Sequence, residues 1–367
     1  MNYSSFSNSN TVILSFKEWV ITAILLVGIC SIVYVGWFRW ELFDPESDYR
    51  APCWAEKMTD YWSHFRWSRY AAQSNYKVFL IGDSVIWGQE VDNDQTISHF
   101  LNEQYGEAIF ANLGIDALFQ SAFPGIIKYY GKYYSNVIIQ FSPHWIRDVN
   151  NDLQGNRKRF YHPRLVPQFH PRIHYNDYTL NERFSYKFEN YFGIFALVRH
   201  IMVNYFDNKS ASVWMMEHPY QNPFRAVTFK AGEETIKARG KGLDWETKNM
   251  QLQTHTYLNP EESIHWESLL EAIKILRKRD IPFFILLGPY NHYILTPESR
   301  KSLYTLLDDV KRRLDKQQVP YFDAVTGFLP SETFADACHL LGDGHDLLAR
   351  ELLKDATFNK WLANLRN

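Results

Sequence analysis

Ser84 and the pair Asp336/His339 are the residues of this chain whose types and spacing could do covalent chemistry. A serine hydroxyl is a weak nucleophile at neutral pH. It attacks a carbonyl only when an imidazole takes its proton and a carboxylate fixes the imidazole's tautomer and stabilises its charge. Ser84 closes Gly82-Asp83-Ser84, directly after the apolar run Val78 to Ile81. A strand ending there would present the hydroxyl on the turn that leaves it, held by a rigid sheet. Asp336-Ala337-Cys338-His339 lies near the other end and supplies acid and base. Gly-Asp-Ser by itself is also an ordinary turn after a strand.

The residues after His339 strengthen the pairing. Leu340-Leu341-Gly342-Asp343-Gly344-His345 leads into the apolar-periodic stretch Leu347 to Leu353, a loop feeding a final helix. The layout resembles the SGNH (GDSL) hydrolase family, whose last block carries Asp, two residues, His, then a Gly-His opening the C-terminal helix. The resemblance implies Ser84 as nucleophile, His339 as general base and Asp336 as the residue orienting it. It also places Gly114, in Asn112-Leu113-Gly114, where the family has a glycine whose N–H lines the oxyanion hole beside that of Ser84. One block departs. Where the family follows its third strand with Gly-x-Asn-Asp, this chain has Phe141-Ser142-Pro143-His144-Trp145, so that either His144 or the Ser142 hydroxyl substitutes for the missing Asn donor or the hole relies on the Ser84 and Gly114 amides. Loss of one such donor costs about 10²–10³ in rate. The Ser-Pro-polar-Trp run resembles a membrane-anchored branch that serves D-alanylation of teichoic acids.

Positioning these residues requires a sheet, and the chain alternates as an α/β fold does. Strands are expected at Val78–Ile81, Ala108–Asn112, Val137–Phe141, Pro282–Leu287 and Pro320–Ala324, with helices at Ile264–Arg279 and Ser302–Gln317. The expectation is an SGNH-like three-layer sandwich around a mostly parallel five-stranded sheet. Ligands in such sheets bind beyond the carboxyl ends of the strands. Ser84, Gly114, His144 and the Pro289-Tyr290-Asn291-His292 turn all stand just after strands.

Ahead of this domain, residues 1–18 form a short tail and Trp19–Phe38 carries no charged residue. At 1.5 Å per helical residue it can cross a bilayer core of about 30 Å. A cleaved signal peptide is the competing reading. Its apolar core would be shorter, and Val35-Gly36-Trp37-Phe38 offers no small-residue cleavage site. Lys17 and Arg39 nearly balance the positive-inside signal, so the family resemblance places the following domain outside the cytoplasm. Residues 39–75 would link anchor and catalytic domain. Within them Trp54, Met58, Tyr61 and Phe65 recur at helical spacing, an apolar face expected to dock on the protein's own core, with the bilayer as the alternative.

The catalytic domain would run over 76–367, with 146–260 as an insertion or lid, rich in Tyr, Phe, Arg, His and Asn, where the alternation stops. His170 and His174 are four apart, but Pro171 between them opposes a helical metal pair, and no metal or cofactor is expected. Cys30 falls in the span, leaving Cys53 and Cys338 able to bridge in an oxidising compartment. With 46% apolar and 22% charged residues the chain has material for a real core. A net charge of −2 argues against nucleic acid as a partner. The 17% aromatic content serves either that core or ring surfaces for sugar, membrane or a partner.

Taken with the resemblance, these features imply a membrane-anchored serine O-acyltransferase acting on an extracytoplasmic polysaccharide or other envelope polymer, beside a membrane-bound O-acyltransferase partner. The alternatives are an esterase of the same fold, or a non-catalytic polymer-binding subunit.

Overall fold

A computed structural model describes residues 14–46, 48–52, 60–147, 162–169, 178–231 and 251–365. In chain order the elements are α1 (Phe16–Trp40), α2 (Tyr61–Gln73), β1 (Val78–Ile81), α3 (Ser84–Trp87), α4 (Ile97–Tyr105), β2 (Phe110–Asn112), α5 (Phe123–Tyr130) and β3 (Asn136–Phe141). Between β3 and the next crossover helix come α6 (Leu180–Tyr191), α7 (Gly193–Tyr205), α8 (Ala211–Glu217) and α9 (Pro223–Ala226). The alternation resumes with α10 (Ile264–Lys278), β4 (Phe283–Leu287), α11 (Pro297–Lys316) and β5 (Tyr321–Asp323), and ends with α12 (Gly342–Lys354) and α13 (Ala356–Leu362).

The five strands pair in the order β2-β1-β3-β4-β5, every pair parallel. Parallel strands need crossovers, and the helices of those crossovers cover both faces, which is why the strands read as unbroken apolar runs. On one face Phe79, Ile81, Val137, Ile139, Ile285 and Leu287 pack with residues of α2, α5, α10 and α11. On the other, Val78, Leu80, Ile138, Phe284 and Leu286 pack with α4, α12 and α13. The expected three layers are therefore present. Strand order reverses between β1 and β3, so the loop after β1, which carries Ser84, lies at the switch point where open α/β sheets bind ligands.

The helical boundaries differ from expectation where caps decide them. α2 starts at Tyr61, because the Asp60 carboxylate accepts the Ser63 N–H as an N-cap, and it runs on to Gln73. Trp54 and Met58 lie outside the described residues, while Tyr61, Trp62 and Trp67 are buried against the protein itself, the docking that was expected. α11 begins at Pro297 rather than Ser302, since Thr296 caps it and Pro suits the first turn.

α1 is long and apolar enough to cross a bilayer. Its final turns pack on the domain: Tyr34 and Phe38 meet Trp62 with ring centroids 5.1 and 4.4 Å apart, and Trp37 is buried. Immediately beyond, Glu41 enters a buried ionic cluster. Its carboxylate accepts from Arg66, from the Tyr205 hydroxyl and, at 2.8 Å, from His200 Nε2. The other ring nitrogen, Nδ1, donates to Asp60 at 2.6 Å. Burial opposes charge on the imidazole, but the two carboxylates outweigh it and lift His200 to about 9. A doubly bonded imidazolium thus ties the end of α1 to α2 and α7.

Candidate active site

Ser84 is the first residue of α3, the short helix that β1 feeds through Gly82-Asp83. The turn is fixed from several sides. The buried Gln140 side chain on β3 accepts the Asp83 N–H through Oε1 at 3.2 Å. Asp83 caps α3, its Oδ1 accepting the Val85 N–H at 3.0 Å, while Oδ2 accepts from Trp145 Nε1 at 3.1 Å. Burial raises the Asp83 carboxyl above its usual range despite these donors. From the linker, the Arg50 guanidinium donates to the carbonyls of Trp87 and Gly88 and lies over the Trp87 ring, bracing the far end of α3.

His339 and Asp336 arrive on the loop before α12. That loop is closed on itself: Phe334 bridges Leu340, the Ala335 N–H donates to the His339 carbonyl, and the Leu341 N–H to that of Thr333. Asn291, fully buried in the turn after β4, clamps it further, with its backbone N–H on the Ala337 carbonyl at 2.8 Å and its side chain on that of Asp336 at 3.1 Å.

The three residues meet in one hydrogen-bonded chain. Ser84 Oγ lies 2.6 Å from His339 Nε2, and His339 Nδ1 lies 2.7 Å from Asp336 Oδ2. Asp336 Oδ1 accepts the backbone N–H groups of Cys338 and His339 at 3.0 and 2.9 Å. Burial would raise Asp336, but the bond and charge of His339, with these two amides, hold it at about 2. Burial pushes the His339 imidazole down, and Asp336, followed by Asp83 and Glu90, more than restores it, leaving it above its ordinary value. A carboxylate beside Nδ1 keeps the proton there and the Nε2 lone pair facing the serine. Geometrically this is a serine with its base and orienting acid in place, able to transfer a proton away from Oγ as that atom attacks a carbonyl.

The oxyanion side differs from expectation at Gly114. Its N–H donates within its own loop, to the Asn112 side chain, Oδ1 accepting it at 3.0 Å. The glycine is needed there for close approach: a Cβ would stand 2.3 Å from the Trp87 backbone nitrogen. The same loop offers another amide. It runs beside the nucleophile's turn, with the Ile115 N–H donating to the Gly82 carbonyl at 3.1 Å. At its tip Ala117 is held at φ 50°, a left-handed conformation uncommon for a residue with a side chain. Its N–H has no acceptor among the described residues. The Ser84 N–H, at the start of α3, is likewise outside the helix's own bonding.

Of the two substitutes for the missing Asn, Ser142 is buried and its Oγ accepts the His144 N–H at 3.3 Å, making it the cap of the 143–146 turn. His144 is electrostatically coupled to Asp336 and His339, and burial pushes it down to about 3, so it is a neutral imidazole. Its Nδ1 is buried without a partner among the described residues. His345, expected at the opening of the last helix, is there, in the first turn of α12 and buried.

Among the described residues one group of side chains has metal-ligand proximity, Asp336, Cys338 and His339. Its carboxylate and imidazole atoms are already engaged in the chain to Ser84. Burial also holds the Cys338 thiol well above its usual pKa, hence protonated, and it packs against the core beneath the loop. Cys338 is a free thiol; Cys53, His170 and His174 lie outside the described residues. The turn holding Asn291 was expected at the site from its place after a strand, and Trp145 lies in the run singled out after β3, but neither had a role assigned. Sequence reading missed Asp83, Gln140 and Ala117 as members of the site, and of these Asp83 carried a signal, as a capping residue one position before a helix.

The fold and site define an α/β protein with a Ser–His–Asp chain at the carboxyl edge of a parallel sheet. This is an SGNH-like fold, the architecture that the motifs around Ser84 and His339 imply. Neither a protein-family model nor a curated protein matches the sequence. Solved structures similar to it include a lipolytic G-D-S-L family member from Veillonella parvula, at 11% identity over 76% of this chain and 97% of that one, TM-score 0.38. A carbohydrate acetylesterase family member from Sinorhizobium meliloti has 8% identity over 77% and 99%, TM-score 0.37. A possible lipase from Chitinophaga pinensis has 10% identity over 76% and 96%, TM-score 0.36.

Proposed function

We propose that the chain is a membrane-anchored, serine-dependent acyl-transfer enzyme that moves an acyl group onto a hydroxyl of an extracytoplasmic polysaccharide or other envelope polymer. The observation that carries the chemistry is the unbroken Ser84–His339–Asp336 chain, with bonds of 2.6 and 2.7 Å. Ser84 Oγ attacks the acyl carbonyl while His339 Nε2 takes its proton. The tetrahedral oxyanion is met by the amides of Ser84 and Ala117, with the neutral His144 imidazole as the side-chain donor. As the intermediate collapses, the leaving group departs with the proton from His339, and acyl-Ser84 remains. An acceptor hydroxyl, deprotonated by the same imidazole, then attacks the ester carbonyl and Ser84 recovers its proton.

Transfer rather than hydrolysis is supported by the anchor, which would hold the site beside a membrane-bound O-acyltransferase. The Ser-Pro-His-Trp run is also built into the nucleophile's turn through Trp145. The second reading, an esterase, is favoured by the exposure of the Asp336 side chain at 41%, which lets water reach the triad's edge. A non-catalytic polymer-binding subunit would have no need of a low-pKa Asp336 aligned on His339.

The test is intact-mass analysis of the full chain in detergent after exposure to p-nitrophenyl acetate, beside Ser84→Ala. An acetyl adduct on the wild type alone is the expected result, and no adduct on either folded protein would exclude the nucleophile. Release of acetate against acetylation of added polyols then separates hydrolysis from transfer.

A further inference from the structure

α6 is built inside out. A helix on a water-soluble domain turns its apolar stripe inward and its polar residues to solvent. Here no residue of α6 is buried, and Leu180, Phe184 and Phe188, spaced four apart along one face, are 66%, 60% and 53% exposed. On the side towards the protein stand Tyr186, packed on the core, and the polar Arg183 and Asn190, while Asn181, Ser185 and Lys187 stay exposed. Asn190 donates to the Arg164 carbonyl at 2.6 Å and accepts from Arg164 Nε, and Arg183 donates to the Gln168 carbonyl.

The apolar row does not stop at the end of α6. The Phe188 ring lies 4.3 Å from Phe192 and 5.7 Å from Phe195, centroid to centroid, and Phe195 and Val198 continue the exposed face along α7. This face joins α1. The backbone of Gly193, the first residue of α7, is so close to the Tyr34 ring that a Cβ there would stand 2.6 Å from it. Contiguous exposed aromatic surface of this kind marks an interaction site, and its continuity with α1 identifies what covers it.

The length of α1 agrees. Its side chains are exposed on every side from Phe16 to Ile29, and its packing on the domain begins at Val33. At 1.5 Å per residue the free, uncharged stretch Trp19–Ile32 spans about 21 Å. A bilayer core is about 30 Å thick, so it extends past Val33 and takes in the level where α7 meets Tyr34. α9 lies near the same end of α1: shortly after it, Phe229 packs on Trp37 and Trp40, and α9 itself exposes Phe224.

We propose that the outer faces of α6 and α7 form a second membrane-contacting surface, seated at the boundary of lipid headgroups and acyl chains beside α1. It rests on the reading that α1 spans the bilayer. An amphipathic element buried about 5–10 Å into that boundary binds through its apolar face. Held at a fixed angle to α1, it would set the height and tilt of the catalytic domain over the membrane, which a single helix leaves free to rotate.

The test uses the full chain in phosphatidylcholine/phosphatidylglycerol nanodiscs, with the native cysteines replaced by serine. Single nitroxides are introduced through Phe184→Cys, Phe188→Cys and Phe195→Cys, with Leu26→Cys on α1 and Glu107→Cys on the distant surface as references. Accessibility to oxygen and to a water-soluble nickel chelate is read by power saturation. The expected result is an oxygen-to-nickel ratio at the three phenylalanine positions several-fold above that of position 107, approaching that of position 26. A water-like ratio at all three, with position 26 in lipid, overturns the inference while leaving the anchor intact. Protection from both reagents means that protein covers the face and equally overturns it. Position 26 in water would overturn the spanning reading on which it rests.

Discussion

Replacing Asp336 by Asn changes one atom and separates an orienting acid from a bystander. Asp336 Oδ1 accepts two backbone amides, and an Asn carbonyl in that place keeps both bonds, so the loop should hold its shape. The amide nitrogen then stands where Oδ2 accepts the His339 Nδ1 proton at 2.7 Å. Two donors cannot face each other, so the imidazole turns to the tautomer with its proton on Nε2, against Ser84 Oγ. The base is lost although nothing has moved. Triads forced into this tautomer lose about 10⁴ in kcat, roughly 5.4 kcal/mol of transition-state stabilisation. The assay is the p-nitrophenyl acetate reaction of the full chain across pH, with thermal unfolding as the control for folding. A second readout has a fixed sign. In the wild type His339 is held above its ordinary value, chiefly by Asp336 against burial, so kcat/KM should rise with pH through a limb displaced to higher pH than a free imidazole would give. Without the carboxylate that limb moves to lower pH. A variant within tenfold of wild type at neutral pH, or one whose limb stays in place, would refute the assignment of Asp336.

Two further outcomes follow from the packing. His200→Gln removes the cation between Glu41 and Asp60, all three side chains being fully buried, and should cost about 3–5 kcal/mol in urea unfolding at pH 7. Because the folded pKa of about 9 lies above the unfolded value, the histidine's contribution is complete below about pH 6.5 and fades as pH rises through 9. The variant should therefore lose the wild type's alkaline decline, and an unchanged pH–stability curve would contradict the imidazolium. Gly114→Ala, whose methyl would press on the backbone of Trp87, should displace α3 and lower acetylation of Ser84 more than Ala117→Gly, which only relieves a positive φ. Equal labelling by Gly114→Ala and wild type would show that the approach is not needed.

Much of the catalytic layer could be read from the chain because the signals were local. A strand buried on both faces is a short apolar run, and β1 starts and ends where its run does. In this chain the acid and the base stand on one loop three residues apart, so the resemblance could single out Asp336 and His339 beside the helix that follows them. Other features had no local trace. Glu41, Asp60, Arg66 and His200 belong to no motif and stand far apart in the chain, and only folding brings them together out of water. Whether the Gly114 amide is free depends on one Asn112 rotamer, which no spacing encodes.

The insertion shows the same division within one helix. Thr179 and Glu182 form the capping box that starts α6, and Leu180, Phe184 and Phe188 follow at helical spacing, all present in the sequence. Periodicity states that a helix has an apolar face but not which way that face turns. Residue types and their order along the chain determined the sheet, the long apolar N-terminal helix and the members of the Ser–His–Asp chain, since those rest on short-range pattern and covalent neighbourhood. The tertiary structure alone decided which amides are free, which charges are buried together and which apolar faces look outward, because each depends on contacts between segments far apart in the chain.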